Sequence, residues 1–263
     1  MAILAIEGLS KEYYDRYRGE NVKAIGNVSF SIEAGDFVSI VGPSGCGKTT
    51  ILNIIAGFIK PTGGRVLLHG QPVQKPGPDR GVVFQSFALF PWKTVLGNVT
   101  FGPKMRGVSG KERDQMARKY IDMVGLTGFE DKYPHELSGG MRQRVGVARV
   151  LANDPEVMLM DEPFASIDAQ TRMKLQEDLT RVWETSQTTI FFVTHDVDEA
   201  VFLSNRVIVL SARPSVVKEV IEVDIPRPRK WKNLIEDPYF HQITGHILAL
   251  LSANPEAAEV EAA

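Results

Sequence analysis

The stretch GPSGCGKT, Gly42 to Thr49, sets glycines, a lysine and a hydroxyl in the spacing G-x-x-x-x-G-K-[ST]. Such a loop can bind phosphate. Glycines let the backbone approach closely, its amides can point at anionic oxygens, and a following helix adds positive potential. Gly42, Pro43, Ser44, Gly45, Cys46, Gly47, Lys48, Thr49 and Thr50 therefore form one candidate nucleotide-binding run. Lys48 brings a full charge to the β- and γ-phosphates. The Thr49 hydroxyl is a ligand for Mg²⁺, an ion that keeps several waters and leans on phosphate oxygens. Cys46 lies near a predicted helix N-terminus, which is expected to lower its thiol pKa. On that reading, alkylation of Cys46 blocks nucleotide binding and MgATP protects against it.

EVMLMDEP, Glu156 to Pro163, is an apolar run ending in paired carboxylates. Neighbours on a strand point to opposite sides, so Asp161 and Glu162 can divide the work. Asp161 is expected to hold Mg²⁺ through a water. Glu162 is expected to polarise an attacking water, a contribution typically worth about 10²- to 10⁴-fold. His195, just past the apolar run TIFFVT, is placed to hydrogen-bond a γ-phosphate and sense its loss. Gln85, after GVVF, can reach the metal or the attacking water from a movable loop. His69, His135, His241 and His246 receive no such role. Phe87, Leu89, Phe90 and Trp92 follow Gln85 and read equally as core or as a surface for a partner. LSGGMRQRV, Leu137 to Val145, offers a second anion grip, because glycines open its predicted helix.

The frame these residues need is legible in the hydrophobic pattern. Short apolar runs recur at Phe37–Val41, Val66–His69, Gly81–Phe84, Glu156–Met160, Thr189–Thr194 and Arg206–Leu210. Several are apolar at every position, as strands buried on both faces of a parallel sheet are. Helical patterns over 48–60, 141–153, 169–185 and 197–203 separate them, which predicts an α/β core. In such a sheet the C-terminal strand ends face the ligand crevice, and the phosphate loop, Gln85, the carboxylates and His195 all follow strands. Residues 104 to about 140 lack a strand-like run. Met116, Tyr120, Ile121 and Val124 recur at helical spacing there, so a helical lobe is expected, the alternative being one long surface helix. From about Ser211 the chain changes character: ARP, IPRPRK and a later NPEAAEVEAA are Pro-rich or acidic and lack a core pattern. NLIEDPYFHQITGHILALL can supply one or two terminal helices, and the last ten or so residues are expected to be frayed.

The bulk numbers exclude several classes. The chain has 263 residues, 43% hydrophobic and 24% charged, with a net charge of −2. That suits one large domain or two modest lobes and not a disordered chain. It does not suit a general nucleic-acid binder, which is usually basic. No apolar run approaches the roughly 18 to 20 residues that span a bilayer. MAILAIEGLSKEYY lacks a charged n-region, so no secretory signal is expected. The lone Cys46 cannot form an internal disulfide.

Taken in order, GPSGCGKT, Gln85, LSGGM, VMLMDEP and His195 resemble the nucleotide-binding subunit of ATP-binding cassette (ABC) transporters over about Leu4 to Leu210. The resemblance implies an α/β P-loop NTPase fold. Its RecA-like, mostly parallel sheet core carries an N-terminal antiparallel β part and an inserted α-helical subdomain. It implies a single ABC ATPase domain over 1–263: an ATP-binding core at 1–103 and 154–225, a helical subdomain at 104–153, and a helical tail at 226–263. ATP and Mg²⁺ are the implied cofactors. Lys48 and the loop amides bind phosphates, Thr49, Gln85 and Asp161 serve Mg²⁺, Glu162 is the catalytic base and His195 the switch. Tyr13, with Tyr14 as runner-up, resembles the aromatic that stacks on adenine, a contact worth roughly 1–3 kcal/mol in nucleic-acid binders. Ser166 to Asp168, in FASID, becomes the loop through which two copies communicate, with Asp168 beside the nucleotide.

In this family two copies pack head to tail, so Ser138, Gly139 and Gly140 of one would hold the γ-phosphate on the other. Met141 stands where the commonest form of the motif has Gln, which removes the amide's polar contacts but not the serine or the glycine amides. PGPDRGVVFQ, LFPWKTVLGNV, LSGGMRQRV and FLSNRVIVLSARP are similar to the nitrate/sulfonate/taurine importer group. That implies an energy-coupling subunit on the cytoplasmic face of the membrane, most simply a homodimer. A permease would dock on the Gln85 loop and helical lobe, in the helix-in-groove mode. A periplasmic or extracellular solute-binding protein would act indirectly, and no nucleic acid is implied. A soluble ABC ATPase acting on DNA or the ribosome is the competing reading. Against it, no sustained heptad run and no second cassette is present. A simple kinase or GTPase would leave LSGG and His195 without a role.

Overall fold

The computed structural model describes residues 2–17 and 19–253. The described residues divide into two compact units. One runs from the N-terminus to Pro76 and resumes at Phe191; the other is Gly77–Ile190.

The first unit begins with two long strands, β1 (Ala2–Asp15) and β2 (Glu20–Glu33), paired antiparallel. Leu4, Ile6, Leu9, Ile25, Val28 and Ile32 are buried along them, and the pairing shifts register between Ile6 and Leu9 and again between Leu9 and Lys11. A buried strand, β3 (Phe37–Val41), leads through the glycine-rich loop into α1 (Lys48–Ile55). The helical pattern predicted one further turn and more, to residue 60. The helix stops earlier because Gly57 turns left-handed (φ 79), with its N–H on Ile54 O (3.0 Å) and the Phe58 N–H on Asn53 O (2.9 Å). β4 (Gly63–Leu68) and the short β5 (Gln71–Pro72) follow, and the positive φ of His69 ends β4 one residue before the expected limit.

Chain from the second unit returns in β8 (Thr189–Val193), then α7 (Val197–Leu203), β9 (Arg206–Leu210), β10 (Ser215–Glu222), α8 (Trp231–Leu234) and α9 (Pro238–Ser252). The strand order in this unit is β5-β4-β1-β2-β10-β9-β3, with β8 next to β3. β3 and β9 run parallel, whereas β1, β2, β4 and β5 are antiparallel. β10 lies between the ARP and IPRPRK stretches, in a segment for which the hydrophobic pattern predicts no strand. It pairs antiparallel with β9 and parallel with β2, and Ser215, Ile221, Val223 and Ile225 are buried along and beyond it. Its other residues are half-buried or exposed, and Lys218 and Glu219 interrupt the apolar ones. Phe30 stacks on Phe191 and Phe37 packs on Phe192, each pair 5.8 Å between centroids.

The second unit pairs β6 (Arg80–Val83) parallel with β7 (Val157–Asp161). Everything assigned between them is helical: α2 (Val95–Val99), α3 (Phe101–Met105), α4 (Gly110–Met123), a 3-10 turn at Pro134–Glu136, and α5 (Gly139–Leu151). In α4 the predicted stripe buries Ile121, with Ala117 beside it and Val124 at its end. α6 (Ala169–Ser186) closes the unit, one residue longer than its pattern predicts. Residues 254–263, expected to be frayed, lie outside the described residues. No described helix is long and apolar enough to cross a membrane.

Candidate active site

The fully buried β3 delivers Gly42 to the end of the strand, and the chain then wraps tightly before α1 begins. A Cβ on Gly42 would sit 2.8 Å from Cys46 Sγ and 3.1 Å from Leu210 Cβ, so only glycine fits. Gly45 (φ 76) and Gly47 (φ 104) hold left-handed angles. Ser44, Gly45 and Thr49 are exposed around the turn, with Pro43 and Thr50 beside them. Lys48 is only 5% exposed. Its Nζ donates to Gly42 O (2.8 Å) and Pro43 O (3.2 Å), so the ammonium lies within the loop. A lysine so placed is pre-organised for an anion.

Cys46 departs from expectation. Its side chain turns inward against Gly42 and is 1% exposed. Burial pushes the thiol up from its ordinary value, against the opposing charge of Lys48. The helix N-terminus does not make this cysteine reactive. In the same unit Tyr13 and Tyr14 are both exposed on β1, and Lys11 Nζ lies 5.1 Å from the centre of the Tyr13 ring.

His195 is exposed immediately after β8, and the backbone around it is fixed. The Thr194 N–H donates to Ile40 O (3.3 Å) and the Asp196 N–H to Thr194 Oγ1 (3.0 Å). Thr194 Oγ1 also donates to the buried Glu199 carboxylate, and Asp196 caps α7 by accepting from the Glu199 N–H (3.1 Å). The far end of α7 is pinned by a residue the sequence did not reveal. Arg229, 4% exposed, donates to the carbonyls of Val201 (2.8 Å), Phe202 (3.0 Å) and Ser204 (2.8 Å), and to those of Val223 and Ile225. Trp231 stacks flat on Phe202 at 4.3 Å. The Pro-rich IPRPRK stretch, which shows no core pattern, is therefore a clamp on the helix following His195.

In the second unit Asp161 ends β7 and Glu162 follows it with φ 43, a left-handed angle that glutamate seldom takes. Strain of this kind concentrates at functional positions. Gln85 is exposed beyond β6, and the next turn contains Phe87 and Ala88, also left-handed. Of the apolar cluster after Gln85, Phe87, Leu89 and Phe90 are half-buried and Trp92 is 71% exposed. The loop is anchored by fully buried Asn98, which accepts from the Phe90 N–H (2.9 Å) and donates to the carbonyls of Phe90, Lys93 and Thr94.

Ser138 caps α5: its Oγ accepts from the Met141 N–H (3.3 Å). The fifth position of the motif thus contributes a backbone amide to the cap, which methionine supplies as well as glutamine. Gly139 has nothing within 4 Å of where a Cβ would be, and Gly140 lies against Thr171 and Leu175. Asp168 caps α6, and the Thr171 amide holds its carboxyl below the usual carboxylate range. The phosphate loop, Tyr13 and His195 thus belong to the first unit, and Gln85, Ser138, Gly139, Gly140, Asp161, Glu162 and Asp168 to the second.

The family profile described as ABC transporter matches residues 25–165. The chain belongs to the ABC transporter family. An uncharacterized ABC transporter ATP-binding protein of Methanocaldococcus jannaschii is 56% identical over 226 residues, 86% of this chain and 84% of that one. A nitrate import ATP-binding protein of Synechocystis is 46% identical over 248 residues, 92% of each chain. A solved dimeric ATP-binding cassette, described as a post-hydrolysis state bound to ADP and Pi, superposes with a TM-score of 0.72. It is 34% identical and covers 85% of this chain and all of its own. The chain is accordingly an ABC ATP-binding subunit with ATPase function, on a P-loop α/β fold.

Proposed function

We propose that this cassette is the energy-coupling ATPase of an importer for a small anion such as nitrate, a sulfonate or taurine. The observation that carries the importer reading is the similarity to a nitrate import ATP-binding protein across 92% of both chains. Two cassettes pack head to tail around ATP. The loop amides and Lys48 hold the phosphates, Tyr13 stacks on adenine, and Ser138, Gly139 and Gly140 of the opposite copy close over the γ-phosphate. Asp168 lies on the loop by which the copies communicate. If ATP binds the closed pair more tightly than the open one, ATP drives closure and hydrolysis releases it.

Glu162 orients and deprotonates the attacking water, and His195 hydrogen-bonds the γ-phosphate. Thr49, Gln85 and Asp161 supply a hydroxyl, an amide and a carboxylate, hard oxygen donors of the kind Mg²⁺ takes. No cluster of three or more His, Cys, Asp or Glu suited to a metal occurs among the described residues. That donor set fits an ion that leans on phosphate oxygens and not a protein cage. When bound, Mg²⁺ neutralises charge on the β- and γ-phosphates.

The permease docks beside the Gln85 loop. A groove of about 350 Å³ lies there, lined by Arg80, Phe84, Ala88, Phe90, Phe101 and Arg149, and it suits a helix end with an apolar residue. The subunit then sits peripherally on the cytoplasmic face, with a solute-binding protein on the other side and no nucleic-acid partner. Purification from native membranes in mild detergent tests this. Co-purification of a multi-span permease is the expected result; recovery of ribosomes, DNA or soluble partners alone would overturn the importer reading.

A further inference from the structure

In the turn after Gln85, Phe87 and Ala88 hold consecutive left-handed backbone angles, φ 61 and φ 45. Side chains other than glycine, asparagine and aspartate rarely adopt these. Inside the turn the Phe87 N–H donates to Phe84 O (2.9 Å) and the Ala88 N–H to Ser86 O (2.7 Å). The carbonyls of the same residues are held from outside. Arg149, on α5, donates from Nη1 to Ala88 O (2.6 Å) and from Nη2 to Phe87 O (3.1 Å). Its guanidinium carbon stands 5.6 Å from the centre of the Phe90 ring, which Asn98 fixes through the Phe90 backbone.

Arg149 forms no ion pair with a carboxylate among the described residues. A half-buried cation has been committed to two carbonyls and a ring face. A planar fork can span both carbonyl oxygens at once, which an ammonium cannot. The same helix begins at Ser138, eleven residues earlier and about 16 Å away at 1.5 Å per residue. One rigid element therefore carries the signature serine at one end and grips the Gln85 turn near the other.

We propose that Arg149 is the positioning residue for Gln85: it holds the turn after Gln85 in its left-handed form and ties it to the signature helix. The inference rests on the role given above to Gln85 at the metal or attacking water. Losing one arm of the fork lets Phe87 and Ala88 relax toward ordinary angles and carries the Gln85 amide out of place. The loop and the signature helix then cease to move as one body.

The test is a double-mutant cycle on the full chain with Arg149→Lys, Gln85→Ala and the combination. Turnover, the Mg²⁺ concentration for half-maximal rate, ATP affinity without metal, and thermal midpoint are read for each. Arg149→Lys should lower turnover about tenfold, as a misplaced catalytic group does, and raise the Mg²⁺ requirement. ATP affinity should stay within about twofold of wild type. In the Gln85→Ala background the lysine should cost less than about twofold more. If the lysine variant does not accumulate, Arg149→Gln enters the same cycle with the same expectation. Wild-type turnover in Arg149→Lys, or losses that multiply fully in the double variant, would overturn the proposal. A Gln85→Ala enzyme with wild-type turnover and metal dependence would refute the role of Gln85 itself, and with it the route from Arg149.

Discussion

Replacing Arg229 with methionine keeps most of the side-chain volume and removes the clamp on α7. The carbonyls of Val201, Phe202 and Ser204 end that helix, where no further backbone N–H is available to them. An unsatisfied buried acceptor costs about 1–3 kcal/mol. The sum over three overstates the effect, because water reaches some of them once the guanidinium is gone. The substitution removes the charge itself and leaves only neutral carbonyls behind, so Arg229→Met should cost about 3–5 kcal/mol, the worth of roughly two unsatisfied acceptors. At roughly 2–4 °C per kcal/mol for chains near this size, the thermal midpoint should drop by about 6–20 °C. Circular dichroism melts of the full chain read this directly. ATP turnover should fall too, since Asp196, the N-cap of α7, is next to His195. A variant that melts within about 2 °C of wild type would refute the reasoning, because the bonds to Arg229 would then contribute less than about 1 kcal/mol.

Other outcomes follow from the phosphate loop and the signature helix. Cys46 should react with iodoacetamide only as the chain unfolds. The folded state keeps the thiol proton above the unfolded pKa, so stability should be unaffected below about pH 8.5 and fall as pH rises past it. Cys46→Ala should abolish that slope. Gly42→Ala should destabilise the fold by about 1–3 kcal/mol and weaken ATP binding, since its methyl meets Cys46 Sγ at 2.8 Å. Adding Cys46→Ala should recover part of the loss in a melt. Ser138→Arg should abolish most hydrolysis, yet mixed dimers of Ser138→Arg with Lys48→Ala should regain activity at one composite site. Mixtures no more active than the separate variants would count against sharing.

How far the sequence could be read depended on whether a contact leaves a pattern. β3 was legible because it is buried on both faces, and the phosphate loop because its spacing is dictated by backbone geometry. α6 showed its face through Leu175, Leu179 and Val182. β10 was not legible: it buries Ser215 and Ile221 while Val216 and Val220 stay exposed, which hides the strand among charges. Arg229 and Arg149 were missed for a different reason. Each spends its charge on backbone carbonyls, and a carbonyl has no letter in a sequence. Cys46 failed as a reactive thiol because proximity to a helix N-terminus says nothing about which way a side chain turns, and here Gly42 leaves room for it to turn in. Met141 departs from the commonest motif in its side chain, whereas the bond it makes at the cap is through its amide.

The central claim is that ATP is held between two copies of the chain. Glu162→Gln tests it most directly, by light scattering after size exclusion with ATP, with ADP and without nucleotide. The variant should bind ATP, hydrolyse it at less than about 1% of the wild-type rate, the loss expected when a general base is removed, and elute at twice the monomer mass only with ATP. A variant that stays monomeric with bound ATP, or that turns over at near wild-type rate, would contradict the shared site and the role of Glu162 within it.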